Sequence, residues 1–386
     1  MSQKMDTIIV KFLMNTADVD EIEMLTEWLK KAENKQYFKD YIKTNYAINY
    51  NLKNYNSKNF KKDFLRKIKL NKSIYVRYKF HKILEYAAVA VLVFGLAYIF
   101  EGSLFSNSDT TTPSIVNTNT ILPGTDKATL TLEDGSVVEL EKGSTLKTTN
   151  ANSNGEQIVY KGGEHNSLET VYNYLTVPRG GEFFVILADG TEVWLNSESQ
   201  LKYPVNFNKG STRLVELIYG EAYFSVSPST ANNGTKFKVL NHSQEIEVLG
   251  TEFNIKAYAD ETNVYTSVVE GKVTVNNGDS IQELNPNQQS ILNIETNRMT
   301  VGTVDIKSEI SWKNGIFSFM DLPLKDIMKV ISRWYDVEVI FENKALESVE
   351  FVGVLSKRQS ITQILSIIKS TSINNYEIKN KTIILK

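Results

Sequence analysis

The spacing of hydrophobic positions changes several times along this chain, and each change marks a different kind of structure. In "TADVDEIEMLTEWLKKAENK" the apolar residues Val19, Ile22, Leu25, Trp28 and Leu29 recur every three or four positions, the repeat of an amphipathic helix. Thr16 or Asp18 can cap its start, and acidic residues fill the first turn, where the helix dipole favours them. "KQYFKDYIKTNYAINYN" continues the pattern through Tyr37, Phe38, Tyr41 and Ile42, and "KNFKKDFLRKIKL" through Phe60, Phe64, Leu65 and Ile68; a short helix at 8–14 precedes them. Residues 1–82 are therefore predicted to form a small all-α bundle. Four short helices make a lean core, which leaves apolar surface for a partner helix.

At "HKILEYAAVAVLVFGLAYIFEGSLF" the periodicity gives way to a continuous apolar run. Tyr86 to Phe100 contains no charge, and a helix over 83–105 would be roughly 34 Å long at about 1.5 Å per residue, enough to span a bilayer core of about 30 Å. Glu85 and Glu101 lie near its ends, where headgroup water is within reach. The competing assignment is a buried helix of a soluble core, and the flanking charges argue against it. Arg66, Lys67, Lys69, Lys72, Arg77, Lys79 and Lys82 precede the run, whereas no Lys or Arg follows it until Lys127. The positive-inside rule then puts the N-terminus in the cytoplasm and the rest of the chain outside. About eighty residues precede the run, too many for the charged leader of a cleaved signal.

Residues 106–120, "SNSDTTTPSIVNTNT", hold too little apolar material to fold and read as a linker. Beyond them the period becomes two. "EFFVILADGTEVWLN" places alternating runs on either side of Asp189-Gly190, a strong hairpin signal. Turn signals of the same kind occur in "TLEDGSVVEL", "ELIYGEAYFSV", "SVVEGKVTVNNGDSIQELNPNQ" and "ILNIETNRMTV". An all-β domain over 121–310 is predicted, a sandwich or a rolled, barrel-like sheet. Leu122-Pro123-Gly124 with Asp134-Gly135, Val138 and Leu140 matches Val177-Pro178-Arg179 with Asp189-Gly190, Val193 and Leu195 at a constant offset of 55, which predicts two related hairpins in one domain. From about Ile316 strands alternate with helices. Leu324, Ile327, Met328, Ile331 and Trp334 follow helical spacing, with Pro323 suited to the first turn; Ile361, Ile364, Leu365 and Ile368 repeat it, and a closing hairpin turns at Lys379-Asn380. Residues 311–386 thus read as an α+β domain of order β-α-β-β-α-β with an extra edge strand open to β-augmentation.

Composition refines this multidomain picture. Residues 1–82 carry 18 Lys or Arg against 9 Asp or Glu, a net of +9, which leaves −11 for the rest of a chain whose total is −2. The two sides of the predicted membrane helix differ in charge. The basic residues are scattered over all the helices and no helix-turn-helix pattern stands out, so direct nucleic-acid binding is not expected. The chain has no cysteine, which removes disulfides and thiol chemistry, and His81, His165 and His242 stand in no ligand spacing, so no metal or cofactor is expected. Nucleotide, metalloprotease, kinase and G-x-S-x-G motifs are absent. The acids Glu182, Asp189 and Glu192 are what hairpin turns and solvated strand faces ordinarily carry, and "KGGEH" at 161–165 reads as a loop. No enzyme is expected; a membrane-tethered scaffold or adhesin and a tethered carbohydrate-active enzyme are alternatives such a chain leaves open.

The segments "VPRGGEFFVILADGTEVWLNSESQLKYP", "VELIYGEAYFSV", "IEVLGTEFNIKAY" and "VVEGKVTV" resemble the signature run of FecR-type transmembrane anti-sigma factors. "WKNGIFSFMDLPLKDIMKVISRWYDVEVIFENKALESVEFVGVLSK" resembles the domain that follows it in the Bacteroidetes branch, and "LMNTADVDEIEMLTEWLKKAENKQYFKDY" is similar to the family's small helical domain. The resemblance implies a single-pass protein of the bacterial inner membrane, N-terminus cytoplasmic and C-terminus periplasmic. Its partners would be an extracytoplasmic-function sigma factor and the signalling domain of an outer-membrane TonB-dependent transporter, the latter contacting residues 311–386. Leu25, Trp28, Leu29, Phe38 and Tyr41 are the candidate sigma-binding residues. Gly250-Thr251 in "EVLGTEFNI" is a candidate self-cleavage bond, because related proteins process themselves when a hydroxyl attacks the preceding glycine carbonyl in an N-to-O acyl shift. The alternative there is a turn or bulge at Gly250 with Thr251 opening a strand.

Overall fold

The computed structural model describes residues 121–148, 150–161, 170–371, 373 and 375–386, together with Ile8, Ile9, Met24, Leu25, Glu27, Trp28, Leu29, Lys31, Asn34 and Phe38. Those N-terminal residues, Lys31 apart, are helical, as their apolar spacing predicts. The apolar run 83–105 and the linker 106–120 lie outside the described residues, as do the loop residues 162–169. Among the described residues no helix is long and apolar enough to cross a membrane.

The alternating region forms strands throughout. The first nine are β1 (Thr125–Thr131), β2 (Val137–Glu141), β3 (Leu146–Lys147), β4 (Ala151–Ser153), β5 (Gln157–Tyr160), β6 (Tyr172–Val177), β7 (Gly181–Ile186), β8 (Glu192–Leu195) and β9 (Ser199–Pro204). They are followed by β10 (Arg213–Ser225), β11 (Phe237–Asn241), β12 (Gln244–Val248), β13 (Glu252–Ala257), β14 (Asn263–Glu270), β15 (Val273–Asn276), β16 (Ile281–Leu284), β17 (Gln288–Asn293) and β18 (Arg298–Thr303). Hydrogen bonding arranges them in two rows. One runs β2-β1-β6-β9-β10-β11-β12-β15-β16, the other β3-β4-β5-β7-β8-β10-β13-β14-β17-β18. Inward residues of both rows share one core, with Leu130, Leu175, Leu201 and Val239 from the first and Ile158, Val193, Phe253 and Leu292 from the second. Each such side chain removed from water stabilises the sandwich by about 1.5–3 kcal/mol.

β10 belongs to both rows. Residues 213–219 pair with β9 and β11, and residues 220–225 pair with β8 and β13. The crossing occurs at Gly220, beside a register shift between Leu217 and Tyr219. Gly220 has φ +98°, and a Cβ there would fall 2.2 Å from Ser199 Oγ. "ELIYGEAYFSV" is therefore not the pair of strands around a turn that its glycine predicts. A bulge and a left-handed glycine bend one strand from sheet to sheet.

The 55-residue repeat is two equivalent hairpins. β1–β2 turns through Asp134-Gly135 and β7–β8 through Asp189-Gly190, each Asp Oδ1 accepting from the main-chain N–H two residues on, at 2.9 Å from Ser136 and 3.0 Å from Thr191. The hairpins lie in different rows, and parallel pairing of Thr125 with Gly181 joins them. Asp189 departs from the solvated role expected of it. Its side chain and that of Arg213 are each 2% exposed, with Arg213 Nη1 donating to Asp189 Oδ2 at 2.7 Å and to the Ser227 carbonyl at 2.9 Å. Arg213 Nη2 donates to the Thr235 carbonyl at 3.1 Å. The hairpin turn is thereby stapled to the start of β10.

A short helix α1 (Ile306–Glu309) and a 3-10 turn (Ser311–Asn314) lead into the C-terminal domain, where Ile310 and Trp312 pack on Tyr223 of β10 and Trp194 of β8. The domain comprises β19 (Ile316–Pro323), α2 (Leu324–Tyr335), β20 (Glu338–Phe341), a 3-10 turn (Lys344–Ser348), β21 (Glu350–Ser356), α3 (Ile361–Thr371), β22 (Tyr376–Lys379) and β23 (Thr382–Leu385). This is the predicted β-α-β-β-α-β order with one further strand. Pro323 sits one position earlier than expected, at the N-cap of α2 with φ −57°, a position that likewise needs no N–H of its own. Strands β19 and β21 pair antiparallel, while β20 runs parallel to β23, which pairs antiparallel with β22. The helical stripes Leu324, Ile327, Met328, Ile331, Trp334 and Ile361, Ile364, Leu365, Ile368 are all buried in one core with Ile383 and Leu385.

Replacing Asp189 by Ala leaves the Arg213 guanidinium buried without its counter-charge. The expected result is a loss of about 3–5 kcal/mol in unfolding free energy, read from the urea midpoint of the full chain. A loss under about 1 kcal/mol would mean that the pair is dispensable.

Candidate functional site

Charges that a solvated surface would leave exposed are buried where the C-terminal domain meets the sandwich. Arg333, near the end of α2, has a side chain only 4% exposed. Its Nε donates to Glu198 Oε2 at 3.2 Å, its Nη1 to Glu261 Oε1 at 2.9 Å and its Nη2 to Asp260. The guanidinium also lies 3.6 Å from the ring centre of Tyr258, a cation–π contact strengthened by desolvation. Burial works against its charge and lowers its proton affinity, but Tyr258, Glu261 and Asp260 outweigh that and raise its pKa.

A second cation, Lys357, follows β21. It is 2% exposed, donates to Glu182 Oε2 at 2.6 Å and sits 3.7 Å from the ring centre of Trp334. Burial pulls its pKa below the usual lysine range, partly opposed by the Glu182 carboxylate. Glu182, expected on a solvated strand face, is thus half of an ion pair across the junction. Between the two cations Trp334 Nε1 donates to the Lys357 carbonyl at 2.8 Å. Its ring lies so close to Gly124 that a Cβ there would fall 2.6 Å from a ring carbon. Only glycine fits.

The main chain joins the two domains as well. Gly180 N–H donates to the Arg333 carbonyl at 2.7 Å, and Arg179 Nη2 donates to the carbonyls of Ser332 at 3.0 Å and Val337 at 2.6 Å, so it caps the end of α2. Gly124 and Arg179, matching positions of the 55-residue repeat, therefore both meet this helix end. Glu198 and Asp336, on opposite sides of the junction, hold left-handed backbone at φ +59° and +50°, a conformation non-glycine residues adopt at a cost.

Beneath the connector lies a buried polar chain. Glu221 Oε2 accepts from Asn196 Nδ2 at 2.8 Å and its Oε1 from Asn254 Nδ2 at 3.0 Å, while Asn254 Oδ1 accepts from Trp312 Nε1 at 3.3 Å. Glu309 of α1 accepts from Gln289 Nε2 at 3.1 Å. Burial above all raises the pKa of both carboxyls.

Of the sequence-predicted residues, Leu25 and Phe38 are buried, Trp28 and Leu29 are half-buried, and Tyr41 lies outside the described residues. Gly250 and Thr251 fall between β12 and β13. Gly250 has φ +154°, and a Cβ there would lie 2.9 Å from Pro228 Cα. Thr251 is 4% exposed and its hydroxyl donates to the Lys272 carbonyl at 2.9 Å. A Cβ on Gly271 would stand 2.9 Å from that hydroxyl oxygen and 3.1 Å from the Gly250 carbonyl oxygen. A side chain at Gly271 would therefore crowd both groups, and the hydroxyl's hydrogen bond goes to a carbonyl, which cannot take its proton. Spacing did not reveal Arg333, whose partner Glu198 is 135 positions away. The one available signal was a cation inside "ISRWYD" beside core aromatic residues.

Arg333→Ala should free the C-terminal domain from the sandwich at a cost of about 3 kcal/mol. The check is hydrogen exchange of the full chain: faster exchange across 316–386 with β10 and β13 unchanged is expected, and uniform protection would show that Arg333 does not hold the junction.

The sequence between 173 and 274 matches the family model described as FecR protein, and 316–385 matches that described as FecR, C-terminal. No match is found among curated proteins. Two crystal structures of a Parabacteroides distasonis protein, described provisionally as an anti-sigma factor, are similar at 30% and 29% identity, each with a TM-score of 0.50. Each alignment covers 55% of this chain and 98% of the other. With its sandwich and its C-terminal α+β domain both accounted for, the chain belongs to the FecR family.

Proposed function

We propose that this protein is a single-pass anti-sigma factor of the inner membrane, relaying a signal from an outer-membrane TonB-dependent transporter to a cytoplasmic extracytoplasmic-function sigma factor. The observation that carries the reading is the likeness, over 98% of its length, to the P. distasonis protein described as an anti-sigma factor. The junction supports a relay. A partner that grips residues 316–386 grips the sandwich too, because Arg333 and Lys357 cannot leave their carboxylates without exposing a desolvated gap. The apolar run 83–105 would carry that load to the predicted helices of 1–82, where half-buried Trp28 and Leu29, with Tyr41 and beside buried Leu25 and Phe38, supply the apolar and aromatic side chains a sigma-factor helix needs. Neither step calls for catalysis, a metal or a cofactor. The Gly250-Thr251 bond is the point at which the relay could be made irreversible, through attack of the Thr251 hydroxyl on the Gly250 carbonyl carbon. As the ester forms, the bond from the Gly250 carbonyl carbon to the Thr251 nitrogen breaks and the hydroxyl proton passes to that nitrogen, and water then hydrolyses the ester to a Gly250 carboxylate and the Thr251 hydroxyl.

Two experiments test this reading. The full chain in detergent should co-purify with a small sigma factor of its own cell, and Trp28→Ala should cut that recovery at least tenfold; a folded chain that retains no sigma factor favours the scaffold or adhesin alternative. Purified parent protein should yield two fragments that meet at 250/251 and Thr251→Ala only the intact chain, so identical patterns would remove self-cleavage from the mechanism.

A further inference from the structure

The C-terminal domain has a strand edge that, among the described residues, neither its own fold nor the sandwich covers. β20 is the outer strand of the order β20-β23-β22. Glu338 N–H donates to the Lys381 carbonyl and Glu342 N–H to the Leu385 carbonyl, so by strand alternation Ile340 also faces β23 while Val339 and Phe341 turn their main-chain groups outward. No hydrogen bond from the described residues reaches those groups. The opening is bounded. Val337 ahead of it is closed by Arg179 at its carbonyl and by the Ser332 carbonyl at its N–H, and Asn343 behind it caps the next turn. The edges of β19 and β22 present different groups. The N–H of Ser318 in β19 donates to Ser311 Oγ, and on β22 Glu377 is paired with both Lys379 and Lys386.

The side chains flanking this opening specify what it would accept. Glu338, Ile340 and Glu342 share the outer face, 78%, 52% and 62% exposed. Both carboxylates are loosely held, their nearest cations being Arg179 at 3.8 Å and Lys386 at 4.0 Å. A second copy of this chain does not suit the edge: antiparallel pairing about Ile340 sets Glu338 opposite Glu342 twice, and parallel pairing sets like beside like. We propose that β20 is a docking strand for an extended segment of the form basic-x-aliphatic-x-basic, which adds to the free edge, seats its aliphatic residue on Ile340 and pairs its Lys or Arg with Glu338 and Glu342. On the relay reading above, on which this identification of the partner rests, that segment belongs to the transporter's signalling domain. Main-chain bonds to Val339 and Phe341 supply the strand addition, and the two carboxylates select the sequence.

The test uses the full chain in detergent and two labelled peptides, Thr-Lys-Thr-Val-Thr-Lys-Thr and the same sequence with Glu for Lys, followed by fluorescence anisotropy. The Lys peptide should bind the parent at least tenfold tighter than the Glu peptide, and Glu338→Lys with Glu342→Lys should reverse that order. Glu283→Lys, on the exposed face of β16, should leave it unchanged. Equal binding of both peptides, or an order that survives the double reversal, overturns the proposal. The purified signalling domain of a transporter encoded beside this chain separates the two readings. If it binds parent and double variant alike, β20 is not the docking strand although the relay stands; if it binds neither, the relay and this partner both fall.

Discussion

Two buried cations on the C-terminal domain, Arg333 and Lys357, need counter-charges that their own domain does not provide. A guanidinium or ammonium taken out of water costs several kcal/mol unless it is paired in good geometry, and the partners here, Glu198, Glu261, Asp260 and Glu182, all belong to the sandwich. The two domains are therefore bound to one arrangement by electrostatics, while the apolar contacts of Trp334 and Trp312 supply the attraction. A junction of apolar residues alone could slide; one whose charges must find particular carboxylates cannot.

Those carboxylates are brought together by the strand that belongs to both sheets. Glu182 lies on β7, Glu198 follows β8, and Asp260 and Glu261 sit in the turn between β13 and β14. β10 pairs with β8 on one side and β13 on the other, so its second half, from Gly220 onward, sets these segments side by side. The glycine also adjoins the turn that carries one of Arg333's partners, since a Cβ on Gly220 would fall 2.5 Å from the Glu198 carbonyl oxygen.

Much of the fold was legible because the determining signals are local. Asp134-Gly135, Asp189-Gly190 and Lys379-Asn380 carry turn chemistry within four residues, and Asn380 takes the left-handed φ of +54° that such a hairpin requires. The inward stripes of α2 and α3 follow from period alone. The course of β10 was not legible, since a glycine between alternating runs marks a hairpin and a bulged crossing with the same letters. Glu182 and Asp189 read as acids of turns and solvated strand faces and Arg333 and Lys357 carried no reading at all, because burial of a charge is set by partners remote in sequence and no spacing rule reports it. The candidate sigma-binding residues were chosen on helical period, and burial of Leu25 and Phe38 shows the core demand that competes for the same side chains.

The position of Gly250-Thr251 has a mechanical meaning. β12, just before the bond, pairs with β11 and β15, and β13, just after it, pairs with β10 and β14. Strands from the two sides of the bond thus meet once in each sheet, at β12–β15 and at β10–β13, and ion pairs of Arg333 with Glu198 and of Lys357 with Glu182 also run from the C-terminal side to the N-terminal side. A chain broken there would not fall apart. Its covalent tether would become a set of hydrogen bonds and ion pairs that holds at rest and yields to a steady pull, much as a fuse passes ordinary load and parts under excess.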